Sequence, residues 1–239
     1  MSSTGMSLRA SLLLEIPLLV CLFGQVSPVE AQRHIGHSAC CGRQDVILIR
    51  GGAGYWPGAD DMADHFESLG YRPTIVQHWQ HRAVARQIIQ ATREGRMAGG
   101  VVIVGYSSGA DSACTLARHL GDAGIRVPTM VLMESTFGRS VPANVDYCVN
   151  YYASRPLDRI PMFRGVPVEA DSPYTVLYNI NVKDYPQYAE LARKNHFTIS
   201  STPMMQQLAG SIVASRQAAL ISPSPSVMMG TAPASSTLR

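Results

Sequence analysis

A chain of 239 residues, 46% of them hydrophobic, is long enough to bury its own core and fits one sizeable domain. Charged side chains make up only 15% and the formal net charge is +3. No run of Lys and Arg interleaved with aromatics occurs, so composition argues against a nucleic-acid partner.

The first thirty residues differ from the rest. Arg9 precedes Leu12-Leu13-Leu14 and the apolar run from Ile16 to Phe23, and Val29-Glu30-Ala31 sets small residues where a signal peptidase reads. The expectation is a signal peptide over 1–31, cleaved after Ala31, and a periplasmic or secreted product. Glu15 and Pro17 interrupt the apolar core, and an uncleaved membrane anchor is the alternative, although the unbroken run is short for a span. Residues 32–44 form an N-terminal segment before the first strand. An exported chain would keep Cys40, Cys41, Cys114 and Cys148, for which three full pairings exist. Adjacent Cys40 and Cys41 join only with strain. No C-x-x-C spacing suggests zinc or a redox pair.

Asp45 to Arg50 reads as a strand that Gly51-Gly52-Ala53-Gly54 ends. Asp60 and Asp61 open a helix with Met62, Ala63, Phe66 and Leu69 at helical spacing, and Gly70 stops it. A strand over Arg72 to Gln77 and a helix over 82–94 follow. The run Val101-Val102-Ile103-Val104 is a buried parallel strand, and a helix runs from the following turn to about Leu120. Cys114 falls on that helix and reads as a small buried apolar residue. Further strands are expected at Val127 to Met133, Val145 to Tyr152 and Tyr174 to Val182. Residues 153–173, rich in Pro, Arg and Gly, form a long loop. Thr202-Pro203 caps a closing helix with Met205, Leu208, Ile212 and Val213 inward. Residues 222–239 read as a disordered tail. The domain therefore spans 45–221. Alternating strands and helices make it α/β, a doubly wound, mostly parallel sheet flanked by helices, with few elements left for a lid.

The chemistry centres on Gly105-Tyr106-Ser107-Ser108-Gly109, between the buried strand and its helix. Strand, G-x-S-x-G and helix in that order make a nucleophile elbow, which lifts the Ser107 hydroxyl above the sheet. Such a serine needs a base. His34, His37, His65, His78, His81, His119 and His196 are available, and only His196 follows the last strand, in Lys194-Asn195-His196-Phe197. Three carboxylates compete to orient it. Asp158 is the first after the penultimate strand, Asp184 follows the last strand, and Glu134 ends the strand before; they are preferred in that order. Asp171 lies close to the start of the last strand. The oxyanion hole requires two backbone N–H groups. Ser108 should give one, and Ala53, in the glycine loop after the first strand, the other. That loop lacks a third glycine or a Gly-Lys-Ser/Thr, so it is not a nucleotide loop. His78 and His81 stand at H-x-x-H spacing after the second strand. Substrate contact suits that position, and metal ligation lacks a third ligand.

On these residues the chain resembles the α/β-hydrolase superfamily over roughly 45–215. More loosely, Gly51 to Trp56 and the small lidless plan resemble exported bacterial hydrolases of the VirJ type, with Ala53 where those proteins tend to carry Asp. The resemblance implies a serine esterase or thioesterase that acts through an acyl-enzyme without metal or organic cofactor. Its substrate would be a small-molecule or lipid ester, in the latter case with contact to a membrane surface. A catalytically inactive binding or assembly protein on the same fold is the competing reading.

Overall fold

The computed structural model describes residues 43–97, 100–155, 160 and 164–221. The leader with its cleavage site, Cys40, Cys41, Asp158 and the tail from 222 onward lie outside the described residues.

Among the described residues six strands form one sheet: β1 (Asp45–Ile49), β2 (Arg72–Val76), β3 (Val101–Tyr106), β4 (Thr129–Met133), β5 (Tyr147–Tyr152) and β6 (Val176–Asn181). The order is β2-β1-β3-β4-β5-β6 and every pairing is parallel. The helices are α1 (Ala59–Ser68), α2 (His81–Arg93), α3 (Ser108–Asp122), the short α4 (Ala189–Ala192) and α5 (Pro203–Ile221). This is the expected doubly wound α/β architecture.

Side chains alternate across a strand, and here both faces are covered, which is why β1, β3 and β4 are apolar almost throughout. Val46, Leu48, Val102 and Val104 pack with Met62 and Phe66 of α1 and with Met205, Ala209 and Val213 of α5. Ile47, Ile49, Val101 and Ile103 point the other way, against Val84 and Ile88 of α2 and Leu116 and Leu120 of α3. Each fully buried aliphatic side chain contributes roughly 1.5–3 kcal/mol. Helix α5 starts as its sequence suggests. Thr202 Oγ1 accepts the Met205 N–H at 3.2 Å, and Pro203 occupies the first turn, where a missing N–H costs nothing.

The chain leaves β1 toward β2 on one side, and β3 lies on the other. The crevice at their carboxyl ends is where open α/β sheets bind ligands. The later, described part of the loop after β5 is pinned at Val166 and Val168. Asn150 Nδ2 donates to Val166 O and to Asn179 Oδ1, both at 2.9 Å, while Asn179 exchanges bonds with the Val168 main chain. No helix among the described residues is long and apolar enough to cross a membrane.

Candidate active site

The elbow is forced by close packing. A Cβ on Gly109 would stand 2.2 Å from Ile49 O, and one on Gly105 would stand 2.6 Å from Gly109 O. Only glycine lets the start of α3 press against the end of β1. Ser107, wedged between, adopts φ 57° and ψ −130°, and its N–H donates to Met133 O at 2.8 Å. Among the described residues the non-glycine residues with positive φ are Ala53, Ser107 and Glu134. They follow β1, β3 and β4, and all three edge one crevice. Strain of this kind persists where surrounding structure enforces it, and it concentrates at functional sites.

His196 comes to this point from between β6 and α5, and is 3% exposed. Tyr106 fixes its backbone by donating its phenolic O–H to His196 O at 2.5 Å. Burial, with the field of Glu134 next, pushes the Tyr106 phenol well above its ordinary value, so it remains a donor. The imidazole bridges two partners. Ser107 Oγ lies 2.9 Å from Nε2, and Nδ1 lies 3.0 Å from Glu134 Oε2. A carboxylate can only accept, so the Nδ1 N–H donates to it and Nε2 keeps a lone pair for the serine proton.

Glu134 is fully buried and well partnered. Its Oε1 accepts the Ala153 N–H at 2.8 Å, and Arg155 forks across both oxygens, through Nη1 to Oε2 and Nη2 to Oε1. The same guanidinium reaches Ala153 O at 3.1 Å and Lys194 O at 3.4 Å, joining the acid to the segment that carries the histidine.

The structure therefore corrects the order of preference for the acid. Asp184 stands exposed beyond β6, where it accepts from Asn181 Nδ2 at 3.2 Å, and it is not brought to His196. Asp158 lies outside the described residues, and the imidazole Nδ1 it would have to reach is held by Glu134. Asp171 pairs with Arg118 at 2.7 Å. The reason is sheet order: β4 lies directly beside β3 and pairs Met133 with Tyr106, so the residue after β4 comes to stand beside the elbow.

The glycine loop faces the same crevice. Gly51 and Gly54 N–H groups and that of Tyr55 are used within the loop, by Tyr55 O, Gly51 O and Gly52 O at 3.0–3.1 Å. The N–H groups of Gly52, Ala53 and Ser108 have no acceptor among the described residues, and a Cβ on Gly52 would lie 3.6 Å from Ser108 Oγ. Both expected oxyanion donors thus have N–H groups to spare, and Gly52 is a third that sequence reasoning passed over.

His78 and His81 brace the loop. The His78 Nδ1 N–H donates to Gly51 O, and that of His81 to His78 O, both at 2.9 Å. Burial lowers the His78 pKa, the Gly51 bond opposes this, and His81 lowers it further. Four residues with structural or positioning parts were not singled out by sequence. Thr136 Oγ1 lies 3.2 Å from Ser107 Oγ. Asp111, buried on α3, accepts the Thr136, Phe137 and Arg139 N–H groups and the Ser135 hydroxyl at 3.1–3.3 Å, holding the turn after Glu134. Arg155 and Tyr106 complete the set. The signals for them were faint: a lone buried carboxylate two residues after Gly109, and an arginine just past β5.

Tyr55, Trp79, Phe137 and Phe197 all stay exposed, and each adjoins or lies close to a residue of the site. Tyr55 and Phe197 meet edge to face, with ring centroids 5.6 Å apart.

No family model matches the chain, and no curated protein matches it in sequence. Solved structures are similar to it in fold. Lipase B of Aspergillus fumigatus aligns with a TM-score of 0.51 at 12% identity, over 73% of this chain and 53% of the lipase, so the chain spans about half of that enzyme. An esterase from Pyrobaculum calidifontis gives a TM-score of 0.47 at 13% identity, over 75% and 78% of the two chains. A thioesterase of prodiginine biosynthesis from Streptomyces coelicolor gives 0.44 at 14%, over 82% and 98%. The fold is the α/β-hydrolase fold. The side chains at its switch point form a Ser107–His196–Glu134 triad, the constellation of a serine hydrolase.

Proposed function

We propose that the protein is an exported hydrolase of carboxylic esters or thioesters. The observation that carries this reading is the continuous chain of contacts from Ser107 Oγ to Nε2 at 2.9 Å and from Nδ1 to Glu134 at 3.0 Å. As Ser107 Oγ attacks the substrate carbonyl, His196 Nε2 takes its proton, and Glu134 stabilises the imidazolium that forms. Charge builds on the carbonyl oxygen, where the N–H of Ser108, with that of Gly52 or Ala53, would receive it. His196 then gives its proton to the leaving alcohol or thiol. Water, activated by the same nitrogen, releases the acid from the acyl-enzyme. Export rests on the apolar leader and the Val29-Glu30-Ala31 site, and accords with the likeness to VirJ-type hydrolases. Intact mass of the envelope product should start at Gln32.

The test of chemistry is turnover of p-nitrophenyl and acyl-thioester substrates together with labelling of Ser107 by a fluorophosphonate. An intact protein that neither turns over nor labels would leave the inactive-scaffold reading in its place. A second reading, lipid esters as substrates, is favoured by the exposed aromatics beside the site, since Trp and Tyr suit a lipid–water boundary. Activity raised by lipid vesicles would select it, and equal rates on soluble esters would remove it.

A further inference from the structure

Among the described residues strand β6 is the last strand of the sheet, with no strand on its outer side. Val176 N–H donates to Asp146 O, toward β5, so strand alternation turns the N–H and C=O groups of Leu177, Asn179 and Asn181 outward. Among the described residues the main-chain groups of Leu177 and Asn179 and the Asn181 N–H have no partner, whereas Asn181 C=O accepts the first bond of the short turn Val182–Asp184. Soluble proteins usually blunt such an edge with Lys, Pro or a bulge. Here the stretch from Tyr174 to Val182 contains no Lys, Arg, Asp, Glu or Pro. Its apolar row is unusually open as well: Tyr174 is 91% exposed, Val176 45% and Tyr178 51%.

We propose that β6 pairs antiparallel with β6 of a second copy of this chain, continuing the sheet across a two-fold axis. The sequence of the edge closes on itself. With the axis at Tyr178, Leu177 of one copy faces Asn179 of the other as a hydrogen-bonded pair, and Val176 faces Ile180. Tyr178 meets its own counterpart. Apolar residues then oppose apolar residues all along the row, and no like charges meet. The patch extends onto α5. Arg216 lies 4.6 Å over the Tyr147 ring, which in turn stands 5.8 Å from that of Tyr178. Leu220, one helical turn beyond Arg216 on the same side of α5, is also exposed. A two-fold pairing brings this flank of each copy beside the joined strands.

The pairing involves no triad residue, so it stands or falls independently of the hydrolase reading. Sedimentation velocity of the full chain should show a dimer at tens of micromolar, and Tyr178→Lys and Val176→Lys should each raise its dissociation constant about tenfold or more. Circular dichroism and esterase rate should be unchanged in both variants. In the wild type, the amides of Leu177, Asn179 and Asn181 should exchange more slowly as concentration rises. A wild type that stays monomeric at about 100 μM overturns the proposal. So does a dimer that survives Tyr178→Lys, which would place the interface elsewhere. Edge amides protected equally at every concentration would show that the chain covers its own edge, and that result also overturns it.

Discussion

Glu134 Oε2 stands 3.0 Å from His196 Nδ1, joining two residues 62 positions apart in the chain. Glu134 leaves β4 with φ 56°, a conformation that turns it off the strand path and into the crevice. From there one carboxylate oxygen reaches the imidazole and the other reaches Ala153 N–H.

Glu134→Gln should therefore lose most of the rate. A neutral amide no longer stabilises the imidazolium or enforces the tautomer, and the comparable change in a Ser-His-Asp protease costs about 10⁴-fold in kcat. It should also lower the melting temperature, because the largely buried Arg155 would lose its counter-charge. Asp184→Asn, on an exposed carboxylate, should leave both quantities near wild type. Steady-state kinetics and thermal melts on the two variants decide the matter. A Glu134→Gln enzyme of normal rate would remove this residue from the triad.

The elements were legible because both faces of the sheet are covered, so β1, β3 and β4 read as unbroken apolar runs between glycine turns. Ser107 was legible through local spacing, and His196 through chain order. The acid was not, because its identity depends on which strands are neighbours. Chain order points past β5, whereas the sheet sets the end of β4 beside the elbow. Asp111 and Arg155 escaped for the same reason: the partners of Asp111 lie 24–28 residues away, and Glu134 and Lys194, which Arg155 joins, lie 21 and 39 residues from it.

Asp111→Ala should uncouple the turn after Glu134. It would strip three main-chain N–H groups and one hydroxyl of their acceptor, and buried donors left unpaired cost about 1–3 kcal/mol each. The melting temperature should fall by many degrees, and the remaining folded enzyme should turn over more slowly because Thr136 and Glu134 are held from this turn. If melting and rate stay at wild-type values, the brace is ornamental.

His78 gives a pH signature. Its folded pKa lies below the ordinary 6.5, chiefly through burial, so between the two values the unfolded chain binds more protons. Stability should fall as pH drops through 6.5 toward the folded value, and then level. His78→Gln should flatten that part of the melting profile between about pH 7 and 5. The slope that remains has a source in His119, also lowered by burial. An unchanged slope in the variant would show that His78 does not carry the effect.

Cys114 and Cys148 should be silent in the native protein. Both are buried and free, Cys114 is pushed up to about 12 by burial with Asp111 adding, and Cys148 is raised by burial and by Cys114. The thiolate is the reactive form, and thiols raised this far supply very little of it at pH 8. Mass spectrometry after iodoacetamide should find both sites unmodified until denaturant is added. Rapid native alkylation at Cys114 would mean that the α3 face opens readily.

The nucleophile carries the sharpest expectation. Ser107→Ala should abolish ester turnover and fluorophosphonate labelling yet leave the fold intact, since the hydroxyl's contacts are to His196 and Thr136 at the crevice rather than to the core. The backbone strain at φ 57° is imposed by neighbours, and Ala carries the same Cβ, so the elbow should survive the change. His196→Ala should cost about as much as Ser107→Ala. Serine and base act as one unit, because a hydroxyl without its base is scarcely nucleophilic and a base without its hydroxyl has no proton to take. The double variant should therefore match either single one rather than multiply the losses. Kinetics on the three variants, with folding checked by circular dichroism, provide the test. Multiplied losses would mean that the two residues act separately, and a Ser107→Ala protein of undiminished rate would place the nucleophile elsewhere.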